Sequence, residues 1–177
     1  MTLEEKLLEN ALTKHLLLNF DQHIEEYSNV IAFFLIFARF EYALKRTRYV
    51  SPKKKYAEAD WEEFGGKIER EFNKHKCHKL AVAVEYLEKN PPKRQVVKGG
   101  ELDWADLDYK DKEILRLINA VKQVRNNLFH GGKYPNPIGP VKDPSRDKEL
   151  IEHSITVLKY LLYSSPEVKE HYFGSLE

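Results

Sequence analysis

Ile114-Leu115-Arg116-Leu117-Ile118-Asn119-Ala120-Val121-Lys122-Gln123-Val124-Arg125-Asn126-Asn127-Leu128-Phe129-His130-Gly131-Gly132 decides how the chain reads. Ile114, Leu115, Leu117, Ile118, Val121, Val124 and Leu128 recur with a helical period, which predicts a helix beginning at Asp108 or Tyr109 and burying one stripe. Gly131-Gly132 ends it, because glycine takes the left-handed C-terminal position at no steric cost. The last turn then collects a cation (Arg125), two amides (Asn126, Asn127) and an imidazole (His130). Groups that bind phosphate and move protons are a poor way to fill a core. They are a sensible way to build a site.

Working outward, the flanks read as further helices. Leu3, Leu7, Leu8, Ala11 and Leu12 lie at helical spacing behind Thr2 as N-cap, with Glu5 in the capping-box position. Asp21 caps a long second helix through Ile24, Tyr27, Ile31, Phe34, Leu35 and Ala38 to about Arg48; its middle is apolar all round, which predicts burial on several sides. Asp60-Trp61-Glu62-Glu63 is a capping box opening another helix, and Leu80, Val84 and Leu87 mark one that halts at Asn90-Pro91-Pro92. From there to Asp103 the expectation is loop or short extended structure, with Val96-Val97 able to form a brief strand. Asp143 or Ser145 caps a last long helix through Leu150, Ile151, Ile155, Leu158 and Leu161, and Pro166 starts a short terminal turn. The fold class is all-α, a helical bundle of about five to seven helices.

Composition bounds the function. The 177 residues form one domain, 1–177, long enough to bury an apolar core. A net charge of +1 supplies no global field toward nucleic acid or membrane, so any anion site is local. The single cysteine, Cys77, precludes an internal disulfide and fits a reducing compartment. Met1 to Asn19 carries Glu4, Glu5 and Glu9 among its leucines, unlike a signal peptide, and the apolar run Val30 to Ala38 is too short to cross a bilayer. The expectation is a cytoplasmic protein with no membrane partner.

Arginine and histidine together suffice for metal-free cleavage of RNA. Arg125 offers a planar fork of donors to a phosphate and keeps its charge at any physiological pH. His130 is the side chain matched to proton transfer near neutrality. The nucleophile is RNA's own 2′-hydroxyl, so neither metal nor cofactor is called for. Residues five apart differ by roughly 140° around a helix, whereas Asn126, four before His130, lies directly behind it. One helix makes a loose site; two meeting across a dyad make a tighter one, a geometric hint of a homodimer. Spacing alone does not single this pair out, since Arg70–His75 and Arg146–His153 also match within four to six intervening residues. Context does: only Arg125 is followed by amides and a Gly-Gly exit.

Arg125-Asn126-Asn127-Leu128-Phe129-His130-Gly131-Gly132-Lys133 resembles the signature of the HEPN superfamily (higher eukaryote and prokaryote nucleotide-binding domains): Arg, a polar residue, three to five others, then His. Phe37-Ala38-Arg39-Phe40-Glu41-Tyr42-Ala43-Leu44-Lys45-Arg46, Ala59-Asp60-Trp61-Glu62-Glu63-Phe64 and Arg146-Asp147 are similar to the small stand-alone bacterial members found on plasmids and in defence islands. The resemblance implies a homodimeric helical bundle with both motifs lining one cleft. It further implies a metal-independent endoribonuclease that leaves a 2′,3′-cyclic phosphate and a 5′-hydroxyl, and acts as a toxin or in defence against phage, with an antitoxin protein as a further partner. By matching position, Arg125 and His130 are the catalytic pair and Asn126 the polar residue beside them. Other members are inactive modules for dimerisation and nucleotide or protein binding, which is the alternative reading here. The tyrosine that an antitoxin modifies in a related group has no counterpart, because Gly132 occupies its position.

Asn127, Lys133, Glu41, Lys45 and Arg46 are the remaining candidates for RNA contact or for support of the pair; solvated surface charge is the competing reading. His75, Cys77 and His78 contain metal-ligand types without a second cluster at zinc-like spacing, so no metal site is assigned.

Overall fold

The computed structural model describes residues 24–52, 55–108, 112–129 and 144–174, with the side chains of 24–27 and 144 excepted. The helix expected over residues 3–12, its successor's Asp21 cap, His130, the Gly131-Gly132 stop, Lys133 and Asp143 lie outside them.

Helix α1, Ile24–Arg46, carries the core. Phe33, Phe37, Phe40 and Leu44 fall at i, i+4, i+7 and i+11, one continuous stripe, and all are buried. A second stripe with the same spacing, Ile31, Leu35, Ala38 and Tyr42, is exposed; Leu35 is 66% accessible. The all-round burial expected for this helix is therefore corrected to one-sided burial. Its inner side packs on the last two helices, while no described element covers the outer stripe.

Helix α2, Trp61–Ile68, opens as the capping box predicts: Asp60 Oδ1 accepts the Glu63 N–H at 2.9 Å. Trp61 stacks on Phe40, with ring centroids 4.9 Å apart, and Phe64 meets Phe40 edge-on. Two short 3₁₀ turns, Glu69–Glu71 and Lys74–Lys76, lead to α3, His78–Lys89. The Cys77 sulfur accepts the Leu80 N–H, so the lone cysteine serves as an N-cap. Leu80, Ala83, Val84 and Leu87 face inward, and the helix stops before Pro91-Pro92.

Strands β1 (Arg94–Lys98) and β2 (Glu101–Ala105) then pair antiparallel, with Lys98 opposite Glu101 and Arg94 opposite Ala105. Gly99 and Gly100 both have positive φ, +62° and +88°, as a tight two-residue hairpin turn needs. The described residues are mostly helical, so the all-α expectation holds with this hairpin added. The brief strand allowed at Val96-Val97 lies in β1, whereas its partner β2 carried no signal, because Val97 and Leu102 are exposed and no alternation marks a buried face.

Helix α4, Glu113–Phe129, starts later than Asp108 and buries Ile114, Leu117, Ile118, Val121 and Val124. It lies close on α2: a Cβ added at Gly65 would stand 2.7 Å from Leu115 Cδ2 and 2.8 Å from Ile118 Cδ1. Helix α5, Pro144–Tyr163, includes Ser145 in its first turn and presents Leu150, Ile151, Val157, Leu158 and Leu161 to the core. The terminal turn is a two-turn helix, α6, Pro166–Phe173, capped by the Ser165 hydroxyl. Arg39 of α1 donates to the Tyr172 carbonyl at 2.7 Å and to the Gly174 carbonyl, which fixes the end of α6 to the central helix.

Candidate functional site

Arg125 stands four residues before the end of α4, one turn short of Phe129, and points at α1. Its guanidinium carbon lies 5.0 Å from the centre of the Phe37 ring, and Nη2 donates to Glu41 Oε1 at 3.5 Å. Phe37 and Glu41 are four apart on α1 and so present one face, a ring and then a carboxylate. Trp61, at the start of α2, closes the third side: its Nε1 donates to the same Glu41 oxygen at 3.2 Å, and its ring sits 5.3 Å from Phe37. Three helices thus meet around one arginine.

Arg125 is neither buried nor loose. Its side chain keeps 28% of its surface accessible, and the described residues engage it through one long hydrogen bond and one ring face. The carboxylate and the ring hold the charge in place, and the Glu41 bond uses one of the five guanidinium donors. Such an arginine is positioned to take an anion.

The neighbouring asparagines divide by helical phase. Asn126 is partly exposed, whereas Asn127 is 5% accessible and turned inward. The Asn127 Nδ2 donates to the Lys93 carbonyl at 2.9 Å, and its Oδ1 accepts from Gln123 Nε2 at 2.7 Å. This amide ties α4 to the chain entering β1; it does not face the Arg125 side. Glu41, named from sequence as support for the pair, is brought to Arg125. Lys45 lies one turn further along the same side of α1, exposed, and Arg46 is exposed in the last turn. His130 and Lys133 follow Phe129 outside the described residues.

The two competing arginine–histidine spacings have other partners. Arg146 Nη2 donates to the Pro91 carbonyl at 2.9 Å, and His153 packs on Tyr86 with ring centroids 4.4 Å apart and planes tilted by 31°. Arg70 and His75 are both exposed, on the two 3₁₀ turns. Trp61 and Phe37 were not legible as members of the site. Their only signals are a four-residue spacing to Glu41 and a capping box, neither of which names a distant arginine.

Among the described residues no helix is long and apolar enough to cross a membrane. No family model, no characterised protein and no solved structure matches the chain.

Proposed function

We propose that the chain is a metal-independent endoribonuclease of HEPN type, acting as a homodimer in which Arg125 and His130 are the catalytic pair. The observation that carries this reading is the setting of Arg125: a permanently charged fork at the surface end of α4, steadied by Glu41 and Phe37 and open to an anion. Arg125 binds a non-bridging oxygen of the scissile phosphate and holds the charge that builds there. His130 takes the proton from the ribose 2′-hydroxyl, whose oxygen attacks phosphorus as the P–O5′ bond breaks. The products are a 2′,3′-cyclic phosphate and a 5′-hydroxyl, the leaving oxygen being protonated by the partner subunit's His130. Asn126, partly exposed and next to Arg125 in the chain, orients a phosphate oxygen or the imidazole.

The dimer is supported by the outer stripe of α1. Ile31, Leu35, Ala38 and Tyr42 form an exposed apolar ridge of heptad-like spacing, and Phe129, 69% accessible, packs edge-on against Phe34 beside it. A ridge of this kind is self-complementary across a two-fold axis, and it lies on the helix that steadies Arg125. The biological role that fits is a toxin or anti-phage effector.

The test is induced expression with RNA integrity as readout, and purified protein with RNA in EDTA with its ends examined. Wild type should arrest growth and leave cyclic-phosphate ends, and Arg125→Ala and His130→Ala should each lower cleavage by about 10²–10⁴-fold without loss of folding. Leu35→Glu should yield a monomer by sedimentation and lose cleavage with it. Cleavage that survives His130→Ala would overturn the mechanism; a wild type that cuts no RNA would move the chain to the inactive binding modules.

A further inference from the structure

A second feature adjoins Arg125. Between the first turn of α2 and the middle of α4 opens a cleft of about 170 Å³, lined by Trp61, Glu62, Leu115, Ile118, Asn119 and Lys122. α2 and α4 touch at Gly65, and beside that contact the lining runs from buried Trp61 and Ile118 to exposed Glu62 and partly exposed Asn119 and Lys122 at the mouth. Its indole wall is the same Trp61 that donates to Glu41 Oε1, the oxygen Arg125 also meets. Lys122 is one turn before Arg125 and Asn126 on α4, so their Cβ atoms are roughly 5–6 Å apart. That is about one nucleotide step along an extended strand.

The polar groups at the mouth differ in sign. Glu62 supplies a carboxylate, an acceptor only; Lys122 supplies an ammonium, a donor only; Asn119 supplies an amide. No described residue forms an ion pair with Glu62 or Lys122. The volume lies below the ~300–1,000 Å³ that suits drug-sized ligands, so the slot takes one planar base and not a whole nucleotide.

We infer that this cleft is a base-recognition subsite for guanine in the RNA that passes Arg125. The inference rests on the ribonuclease reading for the path of the strand. Guanine alone among the four bases offers two N–H donors side by side on its Watson–Crick edge, N1–H and N2–H, which a carboxylate accepts together. Its O6 and N7 acceptors are met by the Lys122 ammonium. Adenine would bring its unprotonated N1 against the Glu62 carboxylate, and uracil and cytosine present one donor group each to it. Single-stranded RNA is read in this way, by bases turned out of the stack and bonded along their edges.

The experiment uses full-length protein and short single-stranded oligonucleotides with 2′-O-methyl riboses, which cannot be cleaved, identical except for one G, A, U or C. Binding is followed by fluorescence anisotropy for wild type, Glu62→Gln and Lys122→Gln, with circular dichroism confirming that each is folded. The G oligonucleotide should bind wild type about tenfold tighter than the A oligonucleotide, as one bidentate pair provides. Glu62→Gln should abolish that ratio, and Lys122→Gln should weaken all four. Equal binding of the four bases by wild type, or a G preference untouched by Glu62→Gln, would overturn the subsite. Sequencing the ends left on natural RNA separates the two readings. A G preference in binding without any cleavage keeps the subsite and removes the nuclease; cleavage with no base preference does the reverse.

Discussion

Asn126 and Asn127 are chemically identical neighbours in the motif, and the structure buries the second while leaving the first partly exposed. Replacing Asn127 by alanine removes its bonds to the Lys93 carbonyl and to Gln123 from a position only 5% accessible. The loss of a buried amide with two partners, one of which becomes unsatisfied, costs about 1–3 kcal/mol. In a chain of this length each kcal/mol moves the melting temperature by roughly 2–4 °C, so a central value near 2 kcal/mol lowers it by roughly 4–8 °C. Asn127→Asp keeps the size but cannot donate to Lys93, and should lose a similar amount. Asn126→Ala, at a partly exposed position, should stay within about 0.5 kcal/mol of wild type while lowering RNA cleavage. Urea denaturation of all three variants measures this, and hydrogen exchange should show the β1 amides opening first in the Asn127 variants. Equal midpoints for Asn126→Ala and Asn127→Ala would refute the assignment, as would an Asn127 variant that is fully stable yet inactive.

Adjacent glycines in α2 provide a second contrast. Gly66→Ala meets nothing within 4 Å and should stabilise the helix by about 0.5–1 kcal/mol, whereas Gly65→Ala drives a Cβ into Leu115 and the buried Ile118 and should destabilise by about 1–3 kcal/mol before that gain is subtracted. Denaturant midpoints moving in opposite directions are the expected result; shifts of the same sign would remove Gly65 as the contact between α2 and α4. Alkaline pH is a third test. The Glu113 carboxylate hydrogen-bonded to Lys74 raises that ammonium above its ordinary 10.5, and burial raises the Tyr172 phenol above 10.0. Both groups hold their proton more tightly folded than unfolded, so their contribution is complete below pH ~10 and is lost as pH rises through the folded values. Melting scans across that range should show Tyr172→Phe and Glu113→Gln with a shallower alkaline decline than wild type; unchanged slopes would contradict the assignment.

Much of the helix content could be read from the chain because helix phase is a local property. The 3.6-residue stripe of α4, the Asp60 capping box and the stop at Asn90-Pro91-Pro92 each depend on neighbours a few residues away, and each appears where expected. The same locality made Arg125 and Asn126 visible as a pair at a helix end. The hairpin was harder, because a two-stranded sheet exposed on both faces leaves no hydrophobic alternation to find.

Tertiary structure decided what no window of sequence contains. An all-apolar α1 middle cannot say which of its two parallel stripes faces the core; the packing of α5 and α6 chose Phe33, Phe37, Phe40 and Leu44 and left Ile31, Leu35, Ala38 and Tyr42 outside. Glu41 meets Arg125 across 84 residues of chain, and Trp61 reaches Glu41 across 20. Those distances close only when three helices cross at fixed angles, and crossing angles are set by side chains interlocking between elements, not by the order of residues within one.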